Sequence, residues 1–157
     1  MEKLLQNIAV EIVAIFRNDS NFVKDISLRD YHGFMKGLIP NSTLEEISKK
    51  LDVDPKSIQA ELVRVHQDLS KEIHLHKQSH ALCIILGGGE HLSNPKHAFA
   101  LKNGKWMGVS KGDVFNIPPG TSHGFTVEDG GILYFLSIQS PPIENADGSD
   151  DYVKLDL

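Results

Sequence analysis

Two histidine-bearing segments constrain what this chain can fold into more than any other feature. The first is His74-Leu-His-Lys-Gln-Ser-His80, followed by the apolar run Ala81-Leu-Cys-Ile-Ile-Leu86 and by Gly87-Gly-Gly89. The second is Gly112-Asp-Val-Phe-Asn-Ile-Pro-Pro-Gly-Thr-Ser-His123. On a β-strand side chains alternate between faces, so His74 and His76 point the same way. Past a short bend His80 opens a second strand, with Leu82, Ile84 and Leu86 expected on its face and lining the interior. Cys83 and Ile85 are then expected to face outward. Neutral imidazole is a good ligand for a transition metal, and strands hold it still. His74, His76, His80 and His123 are therefore expected to converge on one metal ion.

The chain before these segments reads as helical. Apolar residues at Leu4, Leu5, Ile8, Ile12, Ile15 and Phe16 recur at helical spacing and predict a helix over 2–16. A second helix is expected over 28–38, and a third over 42–51, where Ser42 and Glu45 stand at capping-box spacing. From residue 57 the pattern turns to β. Strands are expected over 57–66, 72–77 and 80–86. A hairpin over 98–109 turns at Asn103-Gly104, a pair suited to the positive φ angles of a type I′ turn. Strands over 114–117 and 132–138 follow, with Phe125 and Val127 sharing the face of His123 between them. The acidic tail over 140–151 is expected to be loop, and 152–155 a short edge strand. Both faces of 81–86 are apolar, which calls for a second sheet or a second subunit over the outer one, hence an expected homodimer.

Totals narrow the function classes. With 157 residues, 40% hydrophobic and 24% charged, the chain suits one soluble globular domain with an appendage. A formal net charge of -5 gives no basic footprint for nucleic acid. The single cysteine, Cys83, excludes an internal disulfide and suits a reducing compartment. The start, Met1-Glu-Lys-Leu-Leu-Gln-Asn, is too polar for a signal peptide, and no apolar run is long enough to cross a bilayer. A cytoplasmic protein without a membrane partner is the expectation.

The two segments resemble the paired motifs of the cupin superfamily, G-x5-H-x-H-x(3,4)-E-x6-G and G-x5-P-x-G-x2-H-x3-N. His74-x-His76-x3-His80-x6-Gly87 fits the first, and Gly112-x5-Pro118-x-Gly120-x2-His123 fits the second. Asp68 stands at the leading glycine position, His80 at the glutamate position and Val127 at the closing asparagine position. The resemblance implies a mainly β, jelly-roll-like double-stranded β-helix over 56–157, preceded by a helical extension over 1–55. It also implies one divalent metal, iron, nickel, zinc, manganese or copper, on four histidines. Without the acid, four neutral imidazoles leave the full charge on the ion and favour an anionic ligand. The activity implied is that of a metal-dependent enzyme on a small chelating substrate, dicarbonyl, enolisable or carboxylate, with dioxygenase-like cleavage or isomerisation as its chemistry. A small-molecule-binding protein without turnover is the alternative.

A regulator is a further alternative. Residues 43–58 resemble the first helix and turn of a helix-turn-helix, which would make 59–66 the recognition helix. That segment offers only Arg64 as a base reader and alternates as a strand does, Glu61, Val63 and Val65 against Ala60, Leu62 and Arg64. Beyond the histidines no catalytic base stands out. Glu72 is expected near the ligand strand at the barrel rim. Tyr134 and Gln139 fall on opposite faces of the last strand, so at most one lines a pocket. Trp106 reads as a packing residue, and His91 and His97 as solvated surface histidines.

Overall fold

The apolar spacing over the first residues forms helix α1, Glu2–Asn18, in the computed structural model of the chain, which describes residues 1–19, 21–89 and 92–156. Leu5, Ile8, Ile12 and Phe16 make its buried stripe. A short helix α2, Asn21–Asp25, follows.

The helix expected over 28–38 is instead a hairpin of β1, Arg29–Tyr31, and β2, Phe34–Leu38. His32 and Gly33 take φ of 54° and 90° at its tip, so histidine rather than asparagine fills the first left-handed position. Pairing of β2 with a long neighbouring strand, Lys36 opposite Val63, outweighs the local helical pattern. Helix α3, Asn41–Leu51, begins one residue before Ser42, with Pro40 at its N-cap and no side-chain cap bond, so the expected capping box does not form. It stops at Asp52, whose φ of 55° is left-handed.

From there the chain is β. The strands are β3 (Gln59–Val65), β4 (His74–Leu75), β5 (His80–Gly87), β6 (Ala98–Lys102), β7 (Lys105–Gly108), β8 (Val114–Ile117), β9 (Phe125–Val127), β10 (Leu133–Ser140) and β11 (Val153–Lys154). Because 59–65 is a strand, the recognition helix of a helix-turn-helix is not there. Asn103 and Gly104 turn the β6–β7 hairpin with φ of 52° and 77°, as their identity predicts. Glu90 and His91 lie outside the described residues, and His97 is exposed.

Six strands form one antiparallel sheet in the order β1-β2-β3-β10-β5-β8. Facing it are the three-stranded sheet β7-β6-β9 and the pair β11-β4. The barrel core lies between them, with Val63, Val65, Cys83, Ile85, Leu133 and Phe135 from the large sheet meeting Ala98, Ala100, Phe125 and Val127. The other face of the large sheet carries Ala60, Leu62, Leu82, Leu86, Leu136 and Ile138, which pack under α1 and α3.

This reverses the expected facing of β5. Ala81, Cys83 and Ile85 point into the barrel, and Leu82, Ile84 and Leu86 point to the helices. The cover sought in a second sheet or subunit is supplied by the chain's own N-terminal helices. No helix among the described residues is long and apolar enough to cross a membrane.

Candidate functional site

His74 lies on β4, His76 just beyond it, and His123 just before β9. Two backbone bonds join the segments: His74 N–H donates to the His123 carbonyl at 3.0 Å, and His123 N–H donates to the His74 carbonyl at 2.9 Å. The Gly120 N–H, left-handed at φ 77°, donates to the His76 carbonyl at 2.7 Å. The Pro118-Pro-Gly120 bend therefore clips the second motif onto the first and returns His123 to the interior.

The three rings are buried, and one ligand atom from each lies within 4.8 Å of the other two. Ring centroids are 4.2 Å apart for His74 and His123, 4.9 Å for His76 and His123, and 5.1 Å for His74 and His76. Each Nδ1 sits on a backbone carbonyl, His74 on Glu72 at 3.1 Å, His123 on Thr121 at 2.9 Å and His76 on Asp151. A carbonyl only accepts, so each Nδ1 carries the proton and each Nε2 keeps its lone pair. Burial, reinforced by His123, pushes the His74 pKa down to about 2; burial pushes His123 down to about 4 and lowers His76 as well. Three neutral rings with oriented, unprotonated nitrogens are what a borderline metal ion binds, so the residues present fit such an ion.

His80 is not brought to this cluster. It lies on the face of Leu82, partly buried, with Nε2 at 2.5 Å from Asn116 Oδ1. The side chain that turns inward after the 77–79 bend is Ala81, one residue later. With the four-residue spacing the cupin motif also allows, the glutamate position falls on Ala81, which supplies no ligand.

Residues outside the two motifs complete the surroundings. The Asp151 carboxylate accepts from the backbone N–H groups of Lys77, Gln78 and Ser79 at 2.7, 2.9 and 2.8 Å, while its carbonyl holds His76. Tyr152 stacks on His74 at 4.3 Å and on His32 at 3.9 Å, and its hydroxyl donates to Glu72 at 2.6 Å. Burial and Glu72 together raise its pKa, keeping the phenol protonated. Glu72 thus sits at the rim as expected, paired also with Lys154 at 2.9 Å.

The triad borders a small recess that opens to solvent. Val63, Phe125, Phe135 and Ile143 give it apolar walls, and Lys36, Glu61 and Gln139 a polar one. Gln139 is the member of the expected pair that lines the pocket, while Tyr134 packs on the helix side. Sequence reasoning missed Lys36 because its segment reads as helix. It missed Glu61 as a pocket residue although Glu61 alternates in phase with Val63 and Val65. Trp106 packs against Gly124, where an added Cβ would lie 3.2 Å from the indole.

No protein-family model and no curated protein matches the chain. Solved structures do match. A PAC13 variant from Streptomyces with uridine aligns with a TM-score of 0.55 at 14% identity, covering 86% of this chain and 88% of that one. A protein from Planctomyces limnophilus aligns with a TM-score of 0.58 at 16% identity, covering 83% and 90%. The formate complex of Lactobacillus farciminis oxalate decarboxylase aligns with a TM-score of 0.51 at 14% identity, covering 85% of this chain and 34% of that one. At these identities the likeness is one of fold.

Proposed function

Because the chain folds as a cupin, we propose that it is a metal-dependent enzyme acting on a small substrate with adjacent oxygen ligands. His74, His76 and His123 are the residues that would hold the ion. The observation that carries this is the common arrangement of the three rings beside the recess, each Nδ1 tied to a carbonyl and each Nε2 without a hydrogen-bond partner among the described residues. A divalent transition ion held there supplies a Lewis acid for negative charge developing on a substrate oxygen. The protein's own contribution is positioning and exclusion of water. Three carbonyls fix the rings, Tyr152 braces His74, and Phe125, Phe135 and Ile143 keep the inner recess apolar. With Ala81 at the inward position the donor set of the chain is neutral, which favours a substrate that binds as an enolate or carboxylate.

Dioxygenase-like cleavage of a dicarbonyl or enolisable compound is the first chemistry proposed. A second reading, elimination or isomerisation without dioxygen, is favoured by the likeness to Pac13, described as a nucleoside dehydratase. One experiment separates them. Protein reconstituted with iron, nickel, zinc, manganese or copper is offered a dicarbonyl panel and uridine, with dioxygen and products followed together. Metal-dependent oxygen consumption supports the first chemistry, and metal-dependent conversion without it supports the second. Ligand-induced stabilisation with no turnover under any metal would mark a binding protein and overturn the enzyme reading.

A further inference from the structure

The helices do not close over the whole outer face of the large sheet. Ile84 on β5 and Tyr134 on β10 are only partly buried there, as are Val13 of α1, Val23 of α2 and Leu92. Between these side chains runs a groove. It holds about 400 Å³ beside Ile84 and about 470 Å³ beside Tyr134, two hollows that share Val23, Lys24 and Leu92. Each is the size of a small-molecule site and roomier than the barrel recess. The groove crosses the strands, with Arg64 on β3 opposite Tyr134 on β10, and Tyr134 opposite Gly87 on β5. Two strand spacings are roughly 10 Å, which suits an extended chain better than a compact ring.

Its charge is one-sided. Arg17, Lys24, Arg64 and Lys111 line the two hollows, and no Asp or Glu lines either among the described residues. The chain as a whole has 21 acidic residues against 16 basic ones, so this face runs against the bulk. Lys36, Lys50, Lys154 and Arg29 each reach a carboxylate, whereas none of these four does among the described residues. Arg17 and Lys24 stand in the last turns of α1 and α2, where a cation offsets the helix dipole. Arg64, half-buried in mid-strand, and Lys111, in a turn, have no such reason to be there.

We infer that this groove is a second ligand site, for a carboxylate on an extended apolar chain. The chain displaces water from Val13, Ile84 and Leu92, and the carboxylate meets the unpaired cations along the rim. A neutral apolar compound gains only the first of these and an alkylammonium is repelled by the second. The groove lies on the opposite face of the sheet from the three histidines, so this site is independent of the metal reading.

The test is titration calorimetry with octanoate, octan-1-ol and octylammonium, on the purified protein and again after its metal is removed. Octanoate is expected to bind roughly 10-fold more tightly than octan-1-ol, the worth of one or two partly exposed charge pairs. Octylammonium is expected not to bind, and metal removal to leave octanoate affinity unchanged. The double variant Lys24→Gln with Lys111→Gln, both exposed and checked by a cooperative melt, is expected to bind octanoate several-fold more weakly and octan-1-ol as before. Equal affinity for octanoate and octan-1-ol, or no loss in the double variant, overturns the inference. Octanoate binding that disappears with the metal would place the carboxylate at the histidines and also overturn it. Octanoate binding by protein that takes up no metal supports this groove while removing the metal-centre reading, so the two fail separately.

Discussion

His80 and Ala81 are neighbours in sequence and end on opposite faces of β5. The His-x-His pair is legible because β4 and the residue directly after it keep the two side chains in phase. The phase beyond the bend at 77–79 is not, since three backbone N–H groups there are gathered by Asp151, far along the chain. The consequence is testable by substitution. His123→Ala is expected to weaken metal binding by roughly 100-fold or more, while His80→Ala leaves metal content at the wild-type level, both read by elemental analysis after gel filtration. Equal loss in the two variants would put His80 back at the centre.

The buried rings also predict a pH dependence. His74 and His123 have folded-state pKa values pushed down to about 2 and about 4, below the ordinary value of 6.5. Between those values the unfolded chain holds more protons than the folded one, so stability rises with pH. Metal-stripped protein is therefore expected to lose stability as pH falls from 7 to 5, by at most roughly 1.4 kcal/mol per pH unit for each ring. The depressed carboxyls of Glu72, Glu144 and Asp151 act in the same direction, but only below their ordinary range near 4. Glu61, whose pKa burial raises, works against the rings as pH falls, so a urea midpoint that stays flat from pH 7 to 5 in metal-stripped Glu61→Gln protein would contradict neutral, buried imidazoles.

At the scale of elements, the site is held by segments that local pattern describes poorly. The β1–β2 hairpin, which brings Lys36 to the recess, hides behind a helical spacing and a His32-Gly33 tip. The tail over 140–151 reads as acidic loop, yet it delivers Ile143, Glu144 and Asp151, with Tyr152 directly after it, to the pocket and its supports. Acidic loop residues carry no sequence mark of what they cap; only the fold shows that Asp151 closes the 77–79 bend. Asp151→Ala is expected to cost roughly 2–4 kcal/mol in urea unfolding, since three N–H groups lose a charged acceptor. It is also expected to reduce metal affinity through the looser His76 bend. An unchanged unfolding midpoint would show that the tail merely rests there.

For the whole molecule, the central fact is a sheet with two apolar faces and a different cover on each. The paired motifs made the barrel legible, and the apolar run over 81–86 marked β5 as a strand buried on both faces. What the strands alone could not show was the identity of the outer cover, because an apolar face fits a helix, a sheet or another subunit equally well. Leu5, Ile8 and Ile12 on α1 fill that role against Leu82, Leu136 and Ile138. Ile8→Ala is accordingly expected to destabilise the entire barrel by about 2–5 kcal/mol in one cooperative transition. A separate early transition for the helix, with the barrel unaffected, would show that α1 is an accessory.

The account rests on one centre held by three histidines, and anomalous diffraction from crystals of the metal-reconstituted protein tests it directly. One peak per chain is predicted, bonded to the Nε2 atoms of His74, His76 and His123, with His80 remaining on Asn116. A peak that includes His80, or no peak between the three rings, would contradict it.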